Sequence, residues 1–239
     1  MGKRMRWYLV CAVTVSVAMF LAYGYSKAAT VMAENAPLPR KKVIVIDAGH
    51  GLPDGGAVSC TGALESEFNL KIAERLQSLM HLLGFETVMT RTSAESVYTQ
   101  GTTIAQKKIS DLKQRVRMIN GTENALVLSI HQNNFPDGRY SGAVVLYAAT
   151  DGSKELAQAM QNSIIRSLNP GSRRSCKPAD GIYLMEHIEC TGILIECGFL
   201  SNSAEESKLR SDSYQKKLCC VIASTVCEYL DGELQKNAI

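Results

Sequence analysis

Four short stretches of this chain are apolar at every position: Val43–Ile46, Ala125–Leu128, Val144–Leu146 and Ile193–Ile195. A strand with one wet face alternates polar and apolar residues, whereas an unbroken apolar run suits a strand buried on both faces. Buried strands need helices above and below them, and the segments between these runs carry helical patterns. Residues 65–83 place Phe68, Ile72, Leu76, Leu79 and Leu83 on one stripe, stopped by Gly84. Asp111 is placed to cap a helix running to Asn120, with Leu112, Val116 and Ile119 facing inward. Residues 153–168 form a third helical pattern, ended by Asn169-Pro170-Gly171, and residues 213–230 a fourth. Phe85–Thr90 alternates as another strand, and Gly181–Leu184 reads as a short one. Strands alternating with helices predict one α/β domain over residues 41–239. Its sheet should be twisted, mostly parallel or mixed, and of about six strands, with helices on both faces.

The first 40 residues read differently. Lys3, Arg4 and Arg6 precede an uncharged run from Trp7 to Tyr25, and Pro37 and Pro39 mark a linker. That pattern predicts a signal peptide or membrane anchor and an exported, extracytoplasmic body. The formal charge is +3, of which these 40 residues hold +4, so the body stands at −1 and gives no sign of nucleic-acid binding. Eight cysteines contain no Cys-x-x-Cys pair, which argues against a thiolate metal site. Cys219, Cys220 and Cys227 lie on the last helical pattern and are expected as buried thiols.

The apolar runs end in reactive side chains. His50 follows the first among Gly49, Gly51, Gly55 and Gly56, His131 follows the run from Ala125, and Glu196 follows Ile193–Ile195. Ligands of α/β proteins gather at the carboxyl ends of strands. Glu65, or its neighbour Glu67, would arrive from the start of the first helix. Two His and one Glu are a known ligand set for a catalytic Zn²⁺, which acidifies its water to a pKa of about 7. A further Glu would then serve as general base, and Glu196 is placed for it. The set points to a zinc hydrolase. Asp47 is a candidate acceptor for a ligand imidazole. Arg91, His187 and Asn133 are candidate substrate contacts. Arg115 suits a local ion pair better, and His81 reads as exposed.

The motifs together resemble the zinc-dependent N-acetylmuramoyl-L-alanine amidases of the amidase 3 type. Val-Ile-Asp-Ala-Gly-His-Gly is similar to the family's first motif, and Glu65, four residues before Asn69-Leu70, to its glutamate ligand, which favours Glu65 over Glu67. Ser-Ile-His-Gln-Asn is similar to the motif with the second histidine, and Ile-Glu-Cys-Gly-Phe-Leu-Ser-Asn to the one with the catalytic glutamate. Ala48 and Gln132 depart from the family's usual proline and small or apolar residue. The resemblance implies a fold of the zinc-exopeptidase or phosphorylase/hydrolase type, one Zn²⁺ held by His50, Glu65 and His131, and Glu196 as catalyst. It implies peptidoglycan as substrate, and it is greatest to the germination-specific type that acts on spore cortex, toward muramic-δ-lactam. The interval from His131 to Glu196 leaves little room for an occluding helix, so control would fall to expression, location or a regulatory or activating protein. A stem-peptide carboxypeptidase or endopeptidase, and a non-catalytic wall-binding module, are the competing readings.

Overall fold

The structure is a computed structural model that describes residues 42–237, with Gly2, Thr14, Ala18, Met19, Leu21, Ala22 and Tyr23. Almost all of the predicted leader and linker therefore lies outside the described residues. No helix among the described residues is long and apolar enough to cross a membrane. Residues 1–40 and 41–239 form separate units, and the sheet belongs to the second.

Six strands form one sheet: β1 (Val43–Ala48), β2 (Glu86–Met89), β3 (Ala125–Asn133), β4 (Val144–Tyr147), β5 (Lys177–Pro178) and β6 (Thr191–Phe199). Their order is β2-β1-β3-β6-β4-β5. The central strands β1, β3 and β6 run parallel, and β4 runs antiparallel to β6. Alternate residues of the apolar runs feed two cores. Ile44, Ile46, Leu126, Leu128, Ile193 and Ile195 pack with residues of helices α1 (Glu65–Leu82), α3 (Ser153–Ser167) and α6 (Asp212–Asn237). Val45, Val127 and Leu194 pack on the opposite side with Ile119 of α2 (Ile104–Asn120) and Leu184 and Met185 of α4 (Tyr183–His187). Burying each such side chain contributes about 1.5–3 kcal/mol.

Helix α2 starts a full two turns before the predicted Asp111. Thr103 caps it, accepting from the Gln106 amide while the Gln106 side chain bonds back, a capping box. Asp111 lies inside the helix because its carboxylate is used elsewhere, accepting from Val97 N at 2.8 Å and Arg115 Nε at 2.8 Å. Gly181–Leu184 is not a strand. Leu184, Met185 and Ile188 reach the second core at helical spacing, so the segment winds into α4 and the short edge strand falls at Lys177–Pro178. Asn202 caps an additional helix, α5 (Ser203–Arg210). All seven described cysteines are free; Cys219 is buried as expected, whereas Cys220 points outward.

Candidate active site

Strand register brings the reactive residues together. His131 and Glu196 are direct partners on parallel strands, so their side chains leave the same face side by side. Both lie within their strands, because β3 and β6 extend beyond the apolar runs. His50 stands two residues past β1 with φ 59°, a left-handed backbone that a non-glycine residue adopts only when its surroundings impose it. Two buried guanidiniums impose it here. Arg91 donates to the carbonyls of Ala48 (2.8 Å) and Gly49 (3.0 Å), and Arg115 to those of Ala48 (2.7 Å) and His50 (2.5 Å). Glu65 is the first residue of α1, where the helix dipole favours an anion. The preceding loop fixes that end: Glu65 N donates to Ala57 O and Ser66 N to Gly55 O.

These placements converge on one point. His50 Nε2 lies 3.2 Å from Glu65 Oε2, and His131 Nδ1 lies 3.0 Å from Glu65 Oε1. One atom from each of the three residues falls within 4.8 Å of the others, so the group could hold a metal ion. Bonds of about 2.0–2.1 Å to a tetrahedral zinc imply donors about 3.3 Å apart, which the two measured separations approach. Space is kept for the group by glycine. A Cβ on Gly49 would sit 2.2 Å from His131 Nε2, and one on Gly56 would sit 2.6 Å from Glu65 Oε2. Glu65 is further held by Ala57 N (3.0 Å), Gln132 N (3.1 Å) and Asn69 Nδ2 (3.2 Å). Burial opposes its charge, but the two imidazoles prevail and hold the carboxyl well below the usual range. Burial likewise opposes a charged His50, yet its bonds to Asp54 and Glu65 raise it to about 9.

Glu196 is in a different state. Its Oε2 is buried with no hydrogen-bond partner among the described residues. Burial pushes its pKa up to about 7, with help from Glu65 and against the pull of His131 and His50. A carboxyl poised there can take and return a proton near neutral pH.

The other candidates divide. Asp47 contacts no imidazole. It accepts from Thr90 Oγ1 (2.7 Å), Ser129 Oγ (2.5 Å) and Arg115 Nη1 (2.6 Å), so its charge anchors the end of β1. The carboxylate that meets the His50 imidazole is instead Asp54, 3.1 Å from His50 Nδ1 and held by Lys108 Nζ at 3.0 Å. Its signal was the spacing of four residues from His50 within a glycine loop. Arg91 is no substrate contact: it is buried, and all its bonds go to backbone carbonyls, including Ser66 and Ser93. Arg115 is structural, as expected. His187 lies away from the centre, stacked on Tyr183, with its carbonyl accepting from Asn120 at the far end of α2. Asn133 stays on β3 two residues beyond His131. Glu67 is exposed, and so is His81. Gln132 points to the opposite face from His131 and donates to Asn69 Oδ1 (3.2 Å).

A cleft of about 280 Å³ opens beside His50 and His131, walled by Lys108 and Leu112 of α2 and by Ile182 and Tyr183. Comparison with known proteins agrees with this geometry. Residues 44–228 match the amidase 3 family, described as N-acetylmuramoyl-L-alanine amidase. The chain is 34% identical over 231 residues to the germination-specific N-acetylmuramoyl-L-alanine amidase of Bacillus subtilis (strain 168), covering 96% of each. It is similar to the solved CwlD amidase of Clostridioides difficile in complex with the GerS lipoprotein (TM-score 0.76, 35% identity), covering 80% of this chain and 99% of that one. It also resembles the catalytic domain of the CwlV amidase of Bacillus (Paenibacillus) polymyxa var. colistinus (TM-score 0.65, 29% identity), covering 80% and 98%. Sequence, strand-end geometry and these likenesses agree that the chain belongs to the amidase 3 family of N-acetylmuramoyl-L-alanine amidases.

Proposed function

We propose that this chain uses a zinc ion held by His50, Glu65 and His131 to hydrolyse the amide between the lactyl group of N-acetylmuramic acid and L-alanine. When bound, zinc would acidify a water and polarise the amide carbonyl. Glu196 supplies the proton transfers: it takes a proton as water attacks and returns it to the departing L-alanine nitrogen. The observation that carries this role is the buried, unpartnered Oε2 of Glu196 beside the donor group. An orphaned buried carboxylate oxygen costs stability, and a catalytic task explains why the cost is borne. Asn133, two residues beyond His131 on β3, is the candidate contact for the substrate's amides.

The germination-specific B. subtilis relative supports spore cortex as the substrate, with stem-peptide removal as a step toward muramic-δ-lactam. Residues 1–40 would export or anchor residues 41–239, setting the enzyme outside the cytoplasm, between the forespore membranes. A regulatory lipoprotein-like partner is supported by the C. difficile complex. The test is digestion of cortex and vegetative peptidoglycan by the full chain, with and without zinc and beside Glu196→Gln. Intact stem peptides with free L-alanine amines, lost in the variant and on chelation, are expected. Cuts inside the peptide would move the assignment to a peptidase.

A further inference from the structure

The cations walling the central cleft are paired: Lys108 with Asp54, and Arg115 with Asp47 and Asp111. A second cavity, of about 790 Å³, opens beside the start of β4, lined among others by Gly142, Arg173, Arg174, Asn202, Glu205 and Lys208. Its cations are not balanced. Among the described residues, none of Arg173, Arg174 and Lys208 has a carboxylate within ion-pair distance. The one acid in the wall, Glu205, is buried and committed: its Oε2 accepts from Gly142 N at 2.8 Å and Phe199 N at 3.0 Å. Arg174 is held in place, donating from Nε to Ser141 O at 2.9 Å with its guanidinium 4.9 Å over the Phe199 ring. A guanidinium fixed by one nitrogen and one ring face offers its remaining donors without further ordering.

Strand register sets the distance between this cavity and the chemistry. Val144 pairs with Glu196, and Gly142 lies two residues before Val144. Gly142 is a bend outside β4 with φ 88°, and two peptide links plus one strand spacing of about 4.8 Å put this wall of the cavity within about 12 Å of the Glu196 backbone. Two to three residues of extended peptide span about 7–10 Å. We propose that this cavity receives the carboxylates of the stem peptide, the second and third residues beyond the cleaved bond. The substrate then lies across the strand ends, with its uncharged glycan over the cleft beside α2, whose cations are already paired, and its acidic peptide over β4. The assignment rests on the amidase reading and adds a polarity to it.

Two measurements test it on the full chain with zinc. The first compares cleavage of a soluble muramoyl peptide bearing free carboxylates with the same peptide amidated at them. In Arg173→Gln/Lys208→Gln, selectivity for the acidic peptide should fall about tenfold, through KM and not kcat, as expected for losing hydrogen bonds to charged groups. The second is calorimetric binding of the free stem peptide, which needs no turnover and should weaken in the same variant. Equal losses on both peptides, or none, overturn the subsite. So does inorganic phosphate displacing the stem peptide at matched concentration, which would mark an unselective anion site. Stem-peptide binding that depends on Arg173 and Lys208, with neither muramoyl peptide cleaved, would keep the subsite and overturn the amidase reading.

Discussion

At the end of β1, Asp47 is buried and its oxygens accept from two hydroxyls and from Arg115. Two strands away in the same sheet, within β6, Glu196 Oε2 is buried and accepts from nothing described. Burial raises both carboxyls. For Asp47, Arg115 in the first place, then His131, Ser129 and Thr90, reverses it and brings the pKa down to about 2. For Glu196 the imidazoles do not, and it stands at about 7. The difference is one of partners, not depth. A carboxylate that holds the site together must stay charged, while one that carries protons must be able to change state.

Replacing Glu196 with Gln should have the largest effect, lowering the turnover rate by up to about 10⁴, the upper range for a general base. Folding and metal binding should be retained, since the amide keeps the shape. In the wild type, the rate should climb with pH on the acid side, because the base form of Glu196 is the active one and the zinc charge favours it. Its stability effect runs the other way: a carboxyl raised from 4.5 to about 7 makes the fold less stable as pH rises across that window. Thermal melts of Glu196→Gln against wild type should therefore diverge between pH 4.5 and 7 in favour of the variant. Parallel melting curves would break the comparison.

Asp47→Asn should cost about 3–5 kcal/mol, because Arg115 is then buried beside one carboxylate where it had two. Here the sign reverses. The lowered pKa of Asp47 contributes stability that is fully present above 3.8 and lost as pH falls toward 2. Acid denaturation midpoints of variant and wild type should converge in that window. If Asp47→Asn melts like wild type at neutral pH, the anchoring role given to it fails.

The donor group supplies the next two steps. Chelation should lower the melting temperature. Zinc at about a thousandfold over its Kd stabilises a one-site protein by roughly 4 kcal/mol. Asp54→Asn should weaken zinc binding by about 10–100-fold, the usual effect of losing the acceptor behind a ligand imidazole. Chelator competition would read it directly, and an unchanged affinity would return the imidazole acceptor to open question.

The fold was largely legible because its signals are local. An unbroken apolar run such as Val43–Ile46 has few options other than a buried strand, and His50, His131 and Glu196 follow from where such strands end. What was illegible depends on contacts distant in sequence. Arg91 and Asp47 carry the right chemistry for the roles first given to them. Their real partners, the carbonyls of residues 48 and 49 and the guanidinium of Arg115, come from other elements. His187 has no local feature that separates a site residue from a ring stacked on Tyr183 four positions earlier. The start of α2 was misplaced because Asp111 has the composition of a cap, while the capping box at Thr103 and Gln106 sits in a polar stretch that resembles a loop.

Gln132 gives the smallest effect and the sharpest control. Its Oε1 and Glu196 Oε2 are the two buried side-chain oxygens without a partner among the described residues. They differ in where they point. Glu196 shares a face with His131, whereas Gln132 turns to the opposite side and donates to Asn69, which in turn donates to Glu65. If an orphaned oxygen matters only where substrate can reach it, Gln132→Leu should exchange one unsatisfied acceptor, Gln132 Oε1, for another, Asn69 Oδ1, and lose one neutral hydrogen bond. The two acceptors offset each other and the bond is worth about 1 kcal/mol, so the net loss should be about 1 kcal/mol. KM for muramoyl peptides should not move. A clear rise in KM with unchanged stability would mean that Gln132 meets the substrate after all, and the distinction between the two orphaned oxygens would have to rest on chemistry and not on the face they occupy.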